Sequence, residues 1–180
     1  MIRLPVPDPA RLDDIKADFS AQELVAEMLA AGGAAAAGIT PGDTYAYVQG
    51  DFSRALAVKT ALVANPALRR LYLRMVEDGA LYAISQAIAA STAEFPERRM
   101  DGCRVRVVPS HAAAGTYYVI VELTDRTVRA PNLLIVYDPA DRIEQLPLPA
   151  PVDGVIQLLI DEAGGVPAML RDPKSAIFLR

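Results

Sequence analysis

Apolar residues in this chain recur at two different spacings, and the change between them falls near Phe95-Pro96. Before that point the spacing is helical. Ser20-Ala-Gln-Glu23 has the form of a capping box, in which a Ser hydroxyl accepts from the backbone N–H three residues on and the Glu reaches back to the cap. A helix carrying Leu24, Val25, Met28 and Leu29 is expected from there to Gly32-Gly33, and the small-residue stretch to Gly38 reads as a tolerant connection. Asp43 or Thr44 is expected to cap a short helix holding Tyr45 and Val48 and ended by Gly50. Asp51 or Ser53 starts the next, in which Ala55, Leu56, Val58, Leu62 and Val63 form an apolar arc wide enough for two neighbours. Asn65 then caps a further helix opened by Pro66, whose missing N–H costs nothing at the first helical position. Leu68, Leu71, Tyr72 and Met75 make one stripe along it, with Arg69, Arg70 and Arg74 off the stripe. Beyond Gly79 the spacing of Leu81, Ile84 and Ile88 predicts a kink or a new helix.

After Pro96 short β-branched runs alternate with turn residues. Candidate strands are Cys103–Val108, Thr116–Leu123, Asn132–Tyr137, Arg142–Leu148, Val155–Ile160 and Ala176–Leu179. The separators, such as Asp138-Pro-Ala-Asp141 and Val152-Asp-Gly154, carry turn chemistry, and only Val166–Arg171 leaves room for a brief helix, which disfavours a parallel sheet. The expected class is α+β. A helical bundle over residues 1–97 is followed by an antiparallel β domain, a small sheet or a sandwich, over residues 98–180.

Composition narrows the function classes. A chain of 180 residues with 52% apolar and 22% charged residues can bury its own core without a metal or disulfide staple. The net charge of −4 argues against a general nucleic-acid binder. Residues 1–97 hold 8 Lys and Arg against 12 Asp and Glu, whereas residues 98–180 hold 10 of each, so the acidic excess of the first half favours a basic partner. Cys103 is the only cysteine, which excludes a disulfide within the chain and fits a reducing compartment. The first residues, MIRLPVPDPARLDDIKADF, lack the apolar core of a secretory signal, and the longest apolar runs are too short to span a bilayer. A cytoplasmic protein without membrane association is expected.

The chemistry-bearing residues carry little. No phosphate-binding, dinucleotide, zinc-protease or calcium-loop motif occurs. His111 stands beside Ser110 with no acidic orienting residue indicated, and Cys103 reads as a small residue at a strand start. Asp138, Asp141, Asp153, Asp161 and Asp172 each have turn-forming neighbours that account for them. The prolines of Leu146-Pro-Leu-Pro-Ala-Pro151 suit an edge strand running into a loop. No enzymatic activity, catalytic residue, cofactor or metal site is assigned.

Two capping junctions carry a resemblance. Tyr47-Val-Gln-Gly-Asp-Phe52 followed by Leu62-Val-Ala-Asn-Pro66 resembles the N-terminal helical domain of bacterial anti-sigma factors over Thr44–Asp78. The matching form is the zinc-free one, since the family's His-x-x-x-Cys-x-x-Cys has no counterpart between Lys59 and Leu68. The resemblance implies a non-enzymatic regulator of transcription whose helices clamp a sigma factor and mask its polymerase-binding surface. Contact would fall to Tyr47, Phe52, Leu56, Leu62, Arg70, Leu71 and Tyr72, although position by position the protein's own core is the better fit for the apolar members of that set. Two other classes stay open: a small-ligand carrier with a pocket between helices and sheet, lined by Tyr117, Tyr118 or Tyr137, and a structural subunit that pairs with itself in a homo-oligomer through a sheet edge or helix face.

Overall fold

The computed structural model describes residues 38–84, 94–125 and 129–180. The capping box at Ser20, the helix expected after it and residues 85–88 of the helix expected beyond Gly79 lie outside the described residues. Helix α1 (Pro41–Val48) starts earlier than Asp43 or Thr44 because Thr40 is its cap. The Thr40 hydroxyl accepts from the Asp43 N–H at 3.1 Å, and the Asp43 carboxylate accepts from the Thr40 N–H at 2.7 Å, which is a capping box with Asp in the usual place of Glu. Helix α2 (Ala55–Ala64) starts later than Asp51 or Ser53, since the Asp51 carboxylate accepts from the Ser53 N–H at 2.9 Å and holds a turn ahead of the helix. Helix α3 (Pro66–Asp78) begins where the Asn65-Pro66 pair places it, with the Asn65 side chain accepting from Ala67 and Leu68.

Strand β1 (Tyr82–Ile84) replaces the helix expected beyond Gly79. Its three residues are too few for periodicity to tell a helix from a strand, and the pairing of Tyr82 with Leu179 and of Ile84 with Ile177 decides the matter. The remaining elements are β2 (Arg98–Met100), β3 (Cys103–Pro109), β4 (Thr116–Leu123), β5 (Leu133–Tyr137), β6 (Ile143–Pro147), β7 (Val155–Asp161), a 3₁₀ turn (Glu162–Gly164), α4 (Val166–Arg171) and β8 (Ala176–Leu179). They form two four-stranded antiparallel sheets. The first has the order β1-β8-β5-β6 and the second β2-β3-β4-β7.

Three layers result. Alternation sends Leu133, Ile135 and Phe178 to one face of the first sheet, where they meet Tyr47, Val58, Leu62, Leu71 and Tyr72 of the helices. Leu134, Val136, Ile177 and Leu179 leave from the other face and pack against Val105, Val119, Val121 and Ile156 of the second sheet and Met169 and Leu170 of α4. Each such aliphatic side chain, fully buried, contributes about 1.5–3 kcal/mol.

This arrangement corrects the expected α+β class of a helical bundle followed by a β domain. The fold is mixed α/β, with two antiparallel sheets and a few helices. The helices do not close a core of their own, because Leu133, Ile135, Ile143 and Phe178 complete it, and β1, drawn from the stretch read as helical, is a strand of the first sheet. The physical reason lies in Leu133-Leu-Ile-Val136, an unbroken buried apolar run. Alternating burial would need one cover, whereas this strand needs two.

Arg98 ties the two sheets together. It sits in β2 at 1% exposure, and its guanidinium donates to the Ser175 carbonyl at 2.6 Å and the Asp172 carbonyl at 2.7 Å in the segment leading into β8. Burial pushes its pKa down and the nearby Asp172 pushes it back up. Replacement by an apolar side chain of similar length strands both carbonyls. Arg98→Met is therefore expected to lower the free energy of unfolding by about 2–3 kcal/mol, read from urea denaturation followed by circular dichroism.

Candidate functional site

The seven residues expected to contact a partner divide sharply. Tyr47, Leu62, Leu71 and Tyr72 are buried between the helices and the first sheet, while Phe52, Leu56 and Arg70 are exposed. The arc on α2 is split in the same way: Val58, Ala61 and Leu62 face the core, and Leu56, Thr60 and Val63 face outward at i, i+4 and i+7. Leu56 is 81% and Val63 67% exposed. Val63 was legible only as part of the broad arc, and its outward position follows from which edge of that arc meets β5.

The buried tyrosines are not equivalent. The Tyr72 hydroxyl accepts from the Gln145 side-chain amide at 2.5 Å, whereas the Tyr47 hydroxyl is buried without a hydrogen-bond partner. Burial pushes the pKa of both phenols up. An unpartnered buried hydroxyl costs about 1–3 kcal/mol. Tyr47→Phe is thus expected to leave the urea midpoint unchanged or raise it, while Tyr72→Phe lowers it by orphaning the Gln145 amide.

Beside the outward face of α2 lies a groove of about 490 Å³. Lys59, Thr60, Leu62, Val63 and Ala64 of α2 form one wall, the β5–β6 turn and the start of β6 a second, and Gly164, Gly165 and Met169 a third. Asp138 builds the turn. Its carboxylate accepts from the backbone N–H groups of Ala140 at 3.0 Å and Arg142 at 2.9 Å and pairs with the Arg142 guanidinium, which lets Asp141 adopt a positive φ of 63° at the tip.

Arg69 then fixes the turn to the helices. It donates to the Asp141 carboxylate at 2.7 Å and to the Leu62 carbonyl at the end of α2 at 2.9 Å, while the Tyr137 hydroxyl donates to the other Asp141 oxygen at 2.5 Å. Lys59 pairs with Glu144 across the α2–β6 contact. The charged groups at the rim are thereby matched within the molecule, and the groove offers apolar surface between them.

The third wall is held by Arg171. Its guanidinium pairs with Glu162 at 2.6 Å and Glu94 at 2.8 Å and lies 4.7 Å from the Phe95 ring centroid and 5.3 Å from that of Tyr117. The remaining candidates lead elsewhere. Tyr117 packs with Phe95, Tyr137 bonds Asp141, and Tyr118 follows Tyr117 on the opposite face of β4, so the three tyrosines share no pocket. Cys103 is buried, which pushes its thiol up to about 12 and keeps it protonated. His111 lies exposed in the β3–β4 connection.

No family model, curated protein or solved structure matches this chain. The groove and its own residues are what bear on function. Among the described residues, no three His, Cys, Asp or Glu side chains gather closely enough to hold a metal ion, and no helix is long and apolar enough to cross a membrane.

The clasp around Arg171 has a defined response to acid. Hydrogen bonds from Arg171 first and Tyr117 second hold the Glu162 carboxyl down at about 2, against an ordinary value of 4.5. A depressed carboxylate contributes stability that is present above its unfolded pKa and is lost as pH falls through the folded one. The contribution should therefore disappear between about pH 4.5 and 2. Arg171→Gln is expected to flatten the loss of thermal stability over that window relative to the parent chain, with the two curves parallel above pH 5.5, as followed by differential scanning calorimetry.

Proposed function

We propose that this chain is a non-enzymatic, cytoplasmic interaction module that receives an apolar helical segment of a partner protein on the outward face of α2 and in the groove beside it. The observation that carries the reading is the exposed stripe Leu56-Thr60-Val63, which borders a groove whose charged residues are already paired. Residues at i, i+4 and i+7 are the spacing by which one helix packs against another, and a matched rim leaves apolar contact as the main attraction. The burial of Tyr47, Leu71 and Tyr72 and the exposure of Phe52, Leu56 and Val63 support recognition through the exposed three, with Leu62 at the groove wall.

The resemblance over Thr44–Asp78 makes a sigma factor the partner to test, with regulation of transcription as the role. One purified sigma factor of the native host is expected to bind with a Kd of about 1 μM or tighter by isothermal titration calorimetry. Leu56→Asp and Val63→Asp should each weaken binding by about tenfold or more and leave the Tm of this exposed face unchanged. Full affinity in both variants would overturn the docking surface, and failure of every sigma factor to bind would overturn the partner class.

The volume of the groove also favours a second reading, since about 490 Å³ is large enough to hold a small apolar ligand. A small molecule retained in native mass spectrometry of the purified chain, and lost on Ala64→Trp at the groove wall, would support a carrier over a docking module.

A further inference from the structure

A strand at the edge of a sheet presents unpaired backbone groups, and proteins blunt such edges with shortness, proline or charge. The two sheets have four edge strands among the described residues, β1, β6, β2 and β7. Strand β1 has three residues, and β2 has three and begins Arg98-Arg99. Strand β6 ends in Pro147, with Pro149 and Pro151 beyond it. Strand β7 has none of these protections: Val155-Ile-Gln-Leu-Leu-Ile-Asp161 runs seven residues with no proline, no cation and a single anion at its last position.

Its open side can be read residue by residue. Leu123 donates to Gly154 and Glu162 donates to Gly115, both at 2.8 Å, so in the register that pairs Val121 with Ile156 and Val119 with Leu158 the even-numbered residues bond to β4. Gln157, Leu159 and Asp161 therefore direct their N–H and C=O groups away from the sheet, while those of Val155 are taken by Val152 at 2.8 and 2.9 Å. Leu159 is 54% exposed and stands opposite Tyr118, which in turn stands opposite Val108, so apolar surface continues inward from the edge.

We propose that β7 pairs antiparallel with β7 of a second copy of this chain, joining two four-stranded sheets into one. A two-fold axis at Leu159 sets Leu159 against its own copy and Gln157 against Asp161 of the second copy. That register gives on the order of six backbone hydrogen bonds and an apolar pair at the centre, and it keeps the two aspartates apart. Other registers do worse. Centring on Gln157 would set Leu159 against Val155, whose backbone Val152 already occupies.

This surface is separate from the groove, and its test is independent of any partner. Light scattering after size exclusion at about 100 μM should give the parent chain a mass near twice 19.3 kDa. Leu159→Lys should run at 19.3 kDa with an unchanged circular dichroism spectrum, and mixing it with Leu159→Glu should restore the doubled mass through a Lys–Glu pair across the axis. A monomeric parent chain, a dimer that survives Leu159→Lys, or a mixture that stays monomeric would each overturn the pairing. So would a dimer dissolved by Val63→Asp and untouched at Leu159, which would place self-association in the groove.

Discussion

Strand β5 has no face that tolerates water. Leu133, Leu134, Ile135 and Val136 are each at most 4% exposed, and a strand turns successive side chains to opposite sides. A sheet built on such a strand has to be covered twice. The second sheet supplies one cover through Val105, Val119, Val121 and Ile156, and the helices supply the other through Val58, Leu62, Leu71 and Tyr72. The outward face of α2 is a by-product of the same constraint, because a helix lying flat on a sheet buries one side only. What remains outside is Leu56, Thr60 and Val63.

Arginines then do what the apolar layers cannot, which is to fix the layers in register. Arg98 joins β2 to the carbonyls ahead of β8, and Arg69 joins the end of α2 to the tip of the β5–β6 turn. Arg180 donates to the Val48 carbonyl at 2.7 Å and the Gly79 carbonyl at 3.2 Å, so one cation serves the C-terminal ends of α1 and α3 together, where the helix dipoles favour positive charge. Gly79 leaves room for this contact: its φ of −99° is open to any residue, and a Cβ there would make the Arg180 guanidinium shift.

The sequence was most legible where a local bond decides the geometry. Asn65-Pro66 marks the α2–α3 corner because the Asn side chain satisfies two helix N–H groups by itself, and the turn at Asp138 is set by a carboxylate reaching its own backbone. The Leu146–Pro151 prolines likewise fall on an edge strand and the loop after it. Legibility failed where a distant strand decides. Tyr82–Ile84 is extended because β8 lies beside it, and nothing within three residues records that neighbour. The layer order is not legible in Leu133–Val136 by length alone: an apolar run of four predicts a strand, and its need for cover on both faces shows only in the burial pattern. The candidate site was half legible: the arc on α2 was visible, but its division into core and surface depends on where β5 sits.

Charge makes the same point about function. The acidic excess of residues 1–97 suggests a basic partner for the helices, yet its distribution says otherwise. Residues 1–37 carry 3 Lys and Arg against 6 Asp and Glu, and residues 38–97 carry 5 against 6. The helical layer is therefore close to neutral, and several of its charges are spent on fixed partners: Arg54 on Asp43, Lys59 on Glu144 and Arg69 on Asp141. Exposed pairs of this kind are worth little to stability, but they leave little field to steer an approaching molecule. The recognition proposed for this face then rests on shape and apolar contact at Phe52, Leu56 and Val63. Its affinity should change little with salt, whereas capture driven by the acidic excess would weaken as salt screens it.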